Sequence, residues 1–107
     1  MKGARPRWST AAYLDVIGIV EFIRNDQPAA ARKLGRKILK AAERLTKHPA
    51  AGRIVPELQA QGISDYRELA LTPYRVIYVT RPHGVDIAAV IDGRRDLQAA
   101  LFDRLMR

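Results

Sequence analysis

The stretch YRELALTPYRVIYVTRPHGVDIAAVIDGRR, residues 66–95, decides the fold. It contains three apolar runs of strand length, Tyr66–Leu71, Tyr74–Arg81 and Val85–Ile91, rich in β-branched residues and tyrosine. Thr72-Pro73 separates the first two runs, and Pro82-His83-Gly84 the last two. Connections this short make antiparallel hairpins, because a parallel crossover needs a dozen residues or more. Pro fixes φ and Gly tolerates positive φ, so both suit the turns. The expectation is a three-stranded meander at the core of one small domain.

Upstream of the meander the period changes from two to that of a helix. Ser9 or Thr10 can cap a helix running to about Asn25. Tyr13, Val16, Ile17, Val20 and Ile23 fall on one face, and Leu14, Ile19 and Phe22 widen the apolar arc. This helix is therefore expected to be deeply buried, with Asp15 and Glu21 solvated. After the break at Asn25-Asp26-Gln27-Pro28, Asp26 is a candidate cap for a second helix to about Lys47. Its buried stripe is Ala31, Leu34, Ile38, Ala41 or Ala42, and Leu45. Lys33, Arg36, Lys37, Lys40, Arg44 and Lys47 lie largely on the other side. That side is a solvated face or a surface that follows phosphates without reading sequence. The pair forms an αα-hairpin.

Three further segments complete the chain. Lys2 to Trp8 is basic and allows a brief edge strand, with Trp8 as a core or rim anchor. The connection from His48 to Asp65 is long, so it is expected to be functional or to hold a short element of its own. Beyond the basic turn Asp92-Gly93-Arg94-Arg95, Asp96 can cap a last helix. Its residues Leu97, Leu101 and Leu105 form an apolar face that either packs on the sheet or needs a partner.

Composition narrows the function. With 107 residues the chain makes one domain, 1–107, and a net charge of +8 surrounds it with a positive field. Such a field suits nucleic acid, an acidic protein or another anionic surface, and it also keeps a protein soluble. There is no cysteine, so thiolate metal sites and disulfides are excluded. No cofactor motif, metal-ligand spacing, secretory leader or membrane-spanning run is legible, and a cytoplasmic location is expected. The two histidines, His48 and His83, both stand beside prolines in turns.

Alternation along the strands raises the question of the arginines. Arg75, Ile77, Val79 and Arg81 share one face, and Arg67, Leu69 and Leu71 share one on the preceding strand. Helices are expected to cover only one face of so small a sheet. The other then becomes a binding surface carrying Arg67 and Arg75, with Arg53, Arg94 and Arg95 in nearby loops. The alternative is that Arg67 and Arg75 are structural partners of Glu68, Asp86 or Asp92.

In order and spacing, three segments resemble the RelE/ParE superfamily of toxins from type II toxin–antitoxin systems. They are Gly52-Arg53-Ile54-Val55-Pro56-Glu57-Leu58, Tyr74-Arg75-Val76-Ile77-Tyr78 and Gly93-Arg94-Arg95-Asp96-Leu97. The resemblance covers nearly the whole chain. It implies an α+β fold, β-α-α-β-β-β with an antiparallel sheet, an N-terminal αα-hairpin and a C-terminal helix. It also implies a cognate antitoxin. RelE-like members enter the ribosome and cut mRNA, which needs cations on the phosphate and groups that move protons. ParE-like members poison DNA gyrase by binding it. The matching cations here are Arg67, Arg75 and Arg95, while a second basic residue of that pattern is replaced by Leu69 and its closing tyrosine falls at Leu101. No Tyr or His follows His83. Asp92 stands where many members have His. The proton-transfer half of a nuclease site is missing, so the expectation is a ParE-like gyrase inhibitor, with a ribosome-dependent mRNA endonuclease as the alternative.

Overall fold

In the computed structural model, which describes residues 5–105, the meander forms as its sequence pattern dictates. Strands β3 (Tyr66–Leu71), β4 (Tyr74–Arg81) and β5 (Gly84–Asp92) are consecutive and antiparallel. Before them come β1 (Arg7–Trp8), helix α1 (Thr10–Arg24), helix α2 (Pro28–Leu45), β2 (Arg53–Ile54) and the one-turn helix α3 (Pro56–Gln59). Helix α4 (Leu97–Leu105) follows. The sheet order is β1-β5-β4-β3-β2, and only β1 runs parallel to its neighbour. The long connection thus holds two elements, β2 and α3. Lys2, part of the basic N-terminal segment, lies outside the described residues.

Local chemistry sets the boundaries. The Ser9 side chain accepts a hydrogen bond from the Ala12 N–H, capping α1. Asp96 does the same for Ala99 at the start of α4. The second helix departs from expectation: Gln27, not Asp26, is its cap, without a side-chain bond. The reason lies in the turn out of α1, where the amides of Asp26 and Gln27 both bond back to Ile23 O and hold Asp26 in the turn. At the β4–β5 hairpin Gly84 has φ +138°, a conformation that L side chains rarely adopt.

The two faces of the sheet carry separate cores. On one, Val76, Tyr78, Val85, Ile87 and Val90 meet Ala12, Ile38, Ala42 and Leu45 of the helical hairpin. On the other, Ile77, Ala89 and Ile91 meet Val55 and Leu58 at α3 and Leu97 and Leu101 of α4. The expectation of one open face is therefore wrong, because α3 and α4 together cover what the hairpin leaves. The apolar face of α4 is accordingly used within the fold.

Strand β5 also breaks the simple alternation. Its register with β4 shifts between Ile77 and Tyr78, so that Ala89 opposes Ile77 while Ile87 opposes Tyr78. The extra residue, Ala88, puts Val90 on the hairpin side and Ala89 and Ile91 on the α4 side.

Helix α1 differs most from expectation. Only Ala12 is fully buried, and Tyr13, Leu14 and Phe22 are 57%, 57% and 79% exposed. Val16 and Ile19 do pack on the core. The apolar arc is wider than one sheet face can cover, so its outer edge stays in solvent. Asp15, expected to be solvated, is half-buried and ion-paired with Arg104.

Candidate functional site

Cross-strand register places the five arginines. Arg53 opposes Glu68, Glu68 opposes Ile77, and Arg75 opposes Ile91, so Arg53, Glu68 and Arg75 lie on the α3–α4 face. Arg67 opposes Tyr78 and lies on the hairpin face. Arg67 and Arg75 therefore do not share a surface, contrary to the expectation of a common binding face.

The buried carboxylate of Glu68 is the centre of a charge network. It accepts from Arg53 Nε at 2.6 Å on one oxygen and from Arg75 Nε at 2.6 Å on the other. Arg75 turns its two terminal nitrogens to Glu57 of α3, at 2.9 and 2.8 Å. Arginine's planar fork suits this double engagement. The Glu57 carboxyl is held below its ordinary value, chiefly by the hydrogen bonds from Arg75. Of the partners considered for Arg75, Glu68 is present, Asp86 and Asp92 are engaged elsewhere, and Glu57 was not anticipated. Among the described residues no buried side-chain polar atom lacks a partner.

On the opposite face a second set of bonds pins the loop before β2. Tyr78 Oη donates to Pro49 O at 2.7 Å and accepts from Gly52 N–H at 2.9 Å. Arg67 donates to Gly52 O at 2.7 Å. A Cβ on Gly52 would stand 2.4 Å from Glu68 O and 2.8 Å from the Tyr78 hydroxyl, so this close approach requires glycine. Burial pushes the Tyr78 phenol up.

The turn after β5 is different in kind. Arg94 folds back on Asp92, with bonds at 2.9 and 2.6 Å; the Arg94 side chain is exposed and that of Asp92 half-buried. These bonds, with the charge of Arg95, lower the Asp92 carboxyl to about 2. Asp92 is therefore ionised at neutral pH and is a poor proton donor. Arg95 is exposed. The turn borders an open groove of about 730 Å³ whose other walls are Leu14 and Phe22 of α1, Tyr74 of β4 and Arg104 of α4.

At the floor of that groove, β5 is an uncovered edge, since β1 pairs only with Asp86 and Ile87. Asp15 and Arg104 close it. Asp15 accepts from Val90 N–H at 2.9 Å, and Arg104 donates to Ala88 O at 3.0 Å while gripping Asp15 at 3.0 and 2.9 Å. The irregular backbone created by the extra residue is thereby satisfied. Sequence pattern gave no sign of this pair, which joins positions 15 and 104.

The arrangement thus holds fixed cations but does not gather them. Arg67 and Arg75 sit on opposite faces, and Arg53 and Arg75 are engaged by carboxylates. Among the described residues no group of three or more His, Cys, Asp or Glu is placed to hold a metal.

The family model for the ParE toxin of type II toxin–antitoxin systems, parDE, matches residues 7–97. The chain belongs to the ParE toxin family. Its fold is similar to that of a solved structure described as the chromosomal ParDE toxin–antitoxin system from P. aeruginosa. The TM-score is 0.68 at 18% identity, over 82% of this chain and 94% of that one. No curated protein matches it. In this ParE-type toxin the match spans both the arginine–glutamate network and the Asp92 turn.

Proposed function

We propose that this toxin inhibits DNA gyrase by binding it, and that a cognate antitoxin neutralises it in the cytoplasm. One observation carries the first half. One of the three guanidiniums that the resemblance matches to the nuclease cations, Arg75, is bonded to both Glu57 and Glu68. A nuclease would need that cation for the scissile phosphate, together with a group to move protons. No Tyr or His follows His83, and Asp92 is held ionised. Binding makes no such demand.

The surface supports a protein partner. Leu14 and Phe22 project from α1 beside the basic turn Arg94-Arg95, and Tyr13 is exposed on the same helix. Exposed aromatics next to charge are the usual makings of an interface anchor. An acidic, amphipathic antitoxin segment fits them, with charge speeding encounter and the apolar anchors setting lifetime.

The test is purified toxin with gyrase and relaxed plasmid, beside expression without antitoxin. Supercoiling should be blocked or cleaved DNA trapped, and cells should stop replicating DNA and form filaments. Codon-positioned mRNA cleavage on ribosomes with supercoiling untouched would reverse the assignment in favour of an endonuclease.

A further inference from the structure

Helix α2 carries cationic charge that the fold does not use. From Pro28 to Lys47 the sequence has seven Lys and Arg against one acid, Glu43, which is most of the chain's net +8. All seven are exposed. Among the described residues every ion pair lies elsewhere, on α1, the sheet, the Asp92 turn or α4. At 100° per residue, Lys33, Lys37, Lys40 and Arg44 form one stripe, and Lys47 continues it past the helix end. At 1.5 Å per residue the helical part of the stripe is about 16 Å long. Its C-terminal half, with Arg5, lines an open groove of about 650 Å³.

We propose that this stripe is a binding site for the phosphate backbone of double-stranded DNA, without sequence preference. A helical row of cations outside every ion pair among the described residues is what counterion release requires, and it needs no apolar anchor. The choice of a nucleic acid over an acidic protein follows from segregation on the surface. The exposed aromatics, Tyr13 and Phe22, are on α1, and the stripe has none. Protein interfaces depend on such anchors, whereas phosphate contacts do not. The choice of DNA over RNA rests on the gyrase reading, since gyrase holds duplex DNA.

The test is fluorescence anisotropy of a labelled 24-base-pair DNA duplex with purified full-length toxin and no gyrase present. With roughly five phosphates neutralised, log K should fall against log salt with a slope of about −4.5. That is a loss of about 500-fold between 50 and 200 mM salt. The pair Lys40→Glu and Arg44→Glu should flatten the slope by about 2, at an unchanged melting temperature. The pair Arg24→Glu and Arg81→Glu changes net charge equally, away from the stripe, and should leave most of the binding. Equal losses from both pairs would mean a general charge effect and overturn the proposal. So would no binding at 50 mM salt, tighter binding of an RNA duplex, or tighter binding of a poly-glutamate peptide of equal charge. Because gyrase is absent, failure here leaves the gyrase reading standing. Gyrase left uninhibited beside a normal salt slope would instead leave a DNA-binding site on a toxin with another target.

Discussion

The arginines of the sheet and the basic residues of α2 carry the same charge and live in opposite surroundings. Arg75 has a side chain only 14% exposed and two glutamate partners, one of them buried. The α2 cations are exposed and outside every ion pair among the described residues. A desolvated cation must be paired, and once paired it holds its elements together and is no longer available to a ligand. A solvated one contributes little to stability and keeps its field for a partner. In this toxin, location in the fold separates structural charge from charge free to act.

The comparison breaks most visibly at Glu68. Glu68→Ala should cost about 3–5 kcal/mol, because Arg53 and Arg75 both lose a buried partner. Arg44→Ala on α2 should stay within about 0.5 kcal/mol. Urea midpoints of the two variants check this, and equal losses would erase the distinction. Tyr78→Phe comes next, at about 1–3 kcal/mol, since it strands the Pro49 carbonyl and the Gly52 amide.

Acid sharpens the contrast with a smaller effect. The folded-state pKa of Glu57 lies below the ordinary 4.5 because Arg75 bonds its charged form. Its stabilisation is therefore complete above about pH 4.5 and lost as pH falls through the lower folded value. Urea midpoints followed downward from pH 6 should decline there, and Glu57→Gln should flatten that decline. An unchanged acid limb would mean that the Arg75 bonds contribute nothing. The smallest effect belongs to the outer edge of α1. Phe22→Ser should change stability by under about 0.5 kcal/mol and yet shorten the lifetime of the antitoxin complex in surface plasmon resonance. A large loss of stability would place Phe22 in the core instead.

These elements also show what sequence carries. The meander was legible because strand periodicity and the turn residues Thr72-Pro73 and Pro82-His83-Gly84 agree with each other. The stripe of α2 was legible for the same reason. What sequence hid was the match between faces. A single extra residue at Ala88 reverses the alternation of β5, and no local pattern announces it. The sides taken by Arg67 and Arg75 depend on pairing register, which alternation within separate strands does not fix. Coverage of the second face depended on four-residue α3, too short to show a period. The depth of α1 was misread because its apolar residues span more arc than the sheet can bury. Asp15–Arg104 and Glu57–Arg75 join distant positions, which only the folded chain brings together.

The most direct test of the central claim is Arg75→Ala, read by urea unfolding beside a growth assay without antitoxin. The variant should lose about 3–5 kcal/mol, because Glu68 is left buried with only the exposed Arg53 and Glu57 of α3 is released. Toxicity should fall only as far as folded protein is lost, and return when the cells are grown at a lower temperature at which the variant stays folded. A variant as stable as the parent that no longer arrests growth would rule out a structural role for Arg75, and would make it a residue that touches the target.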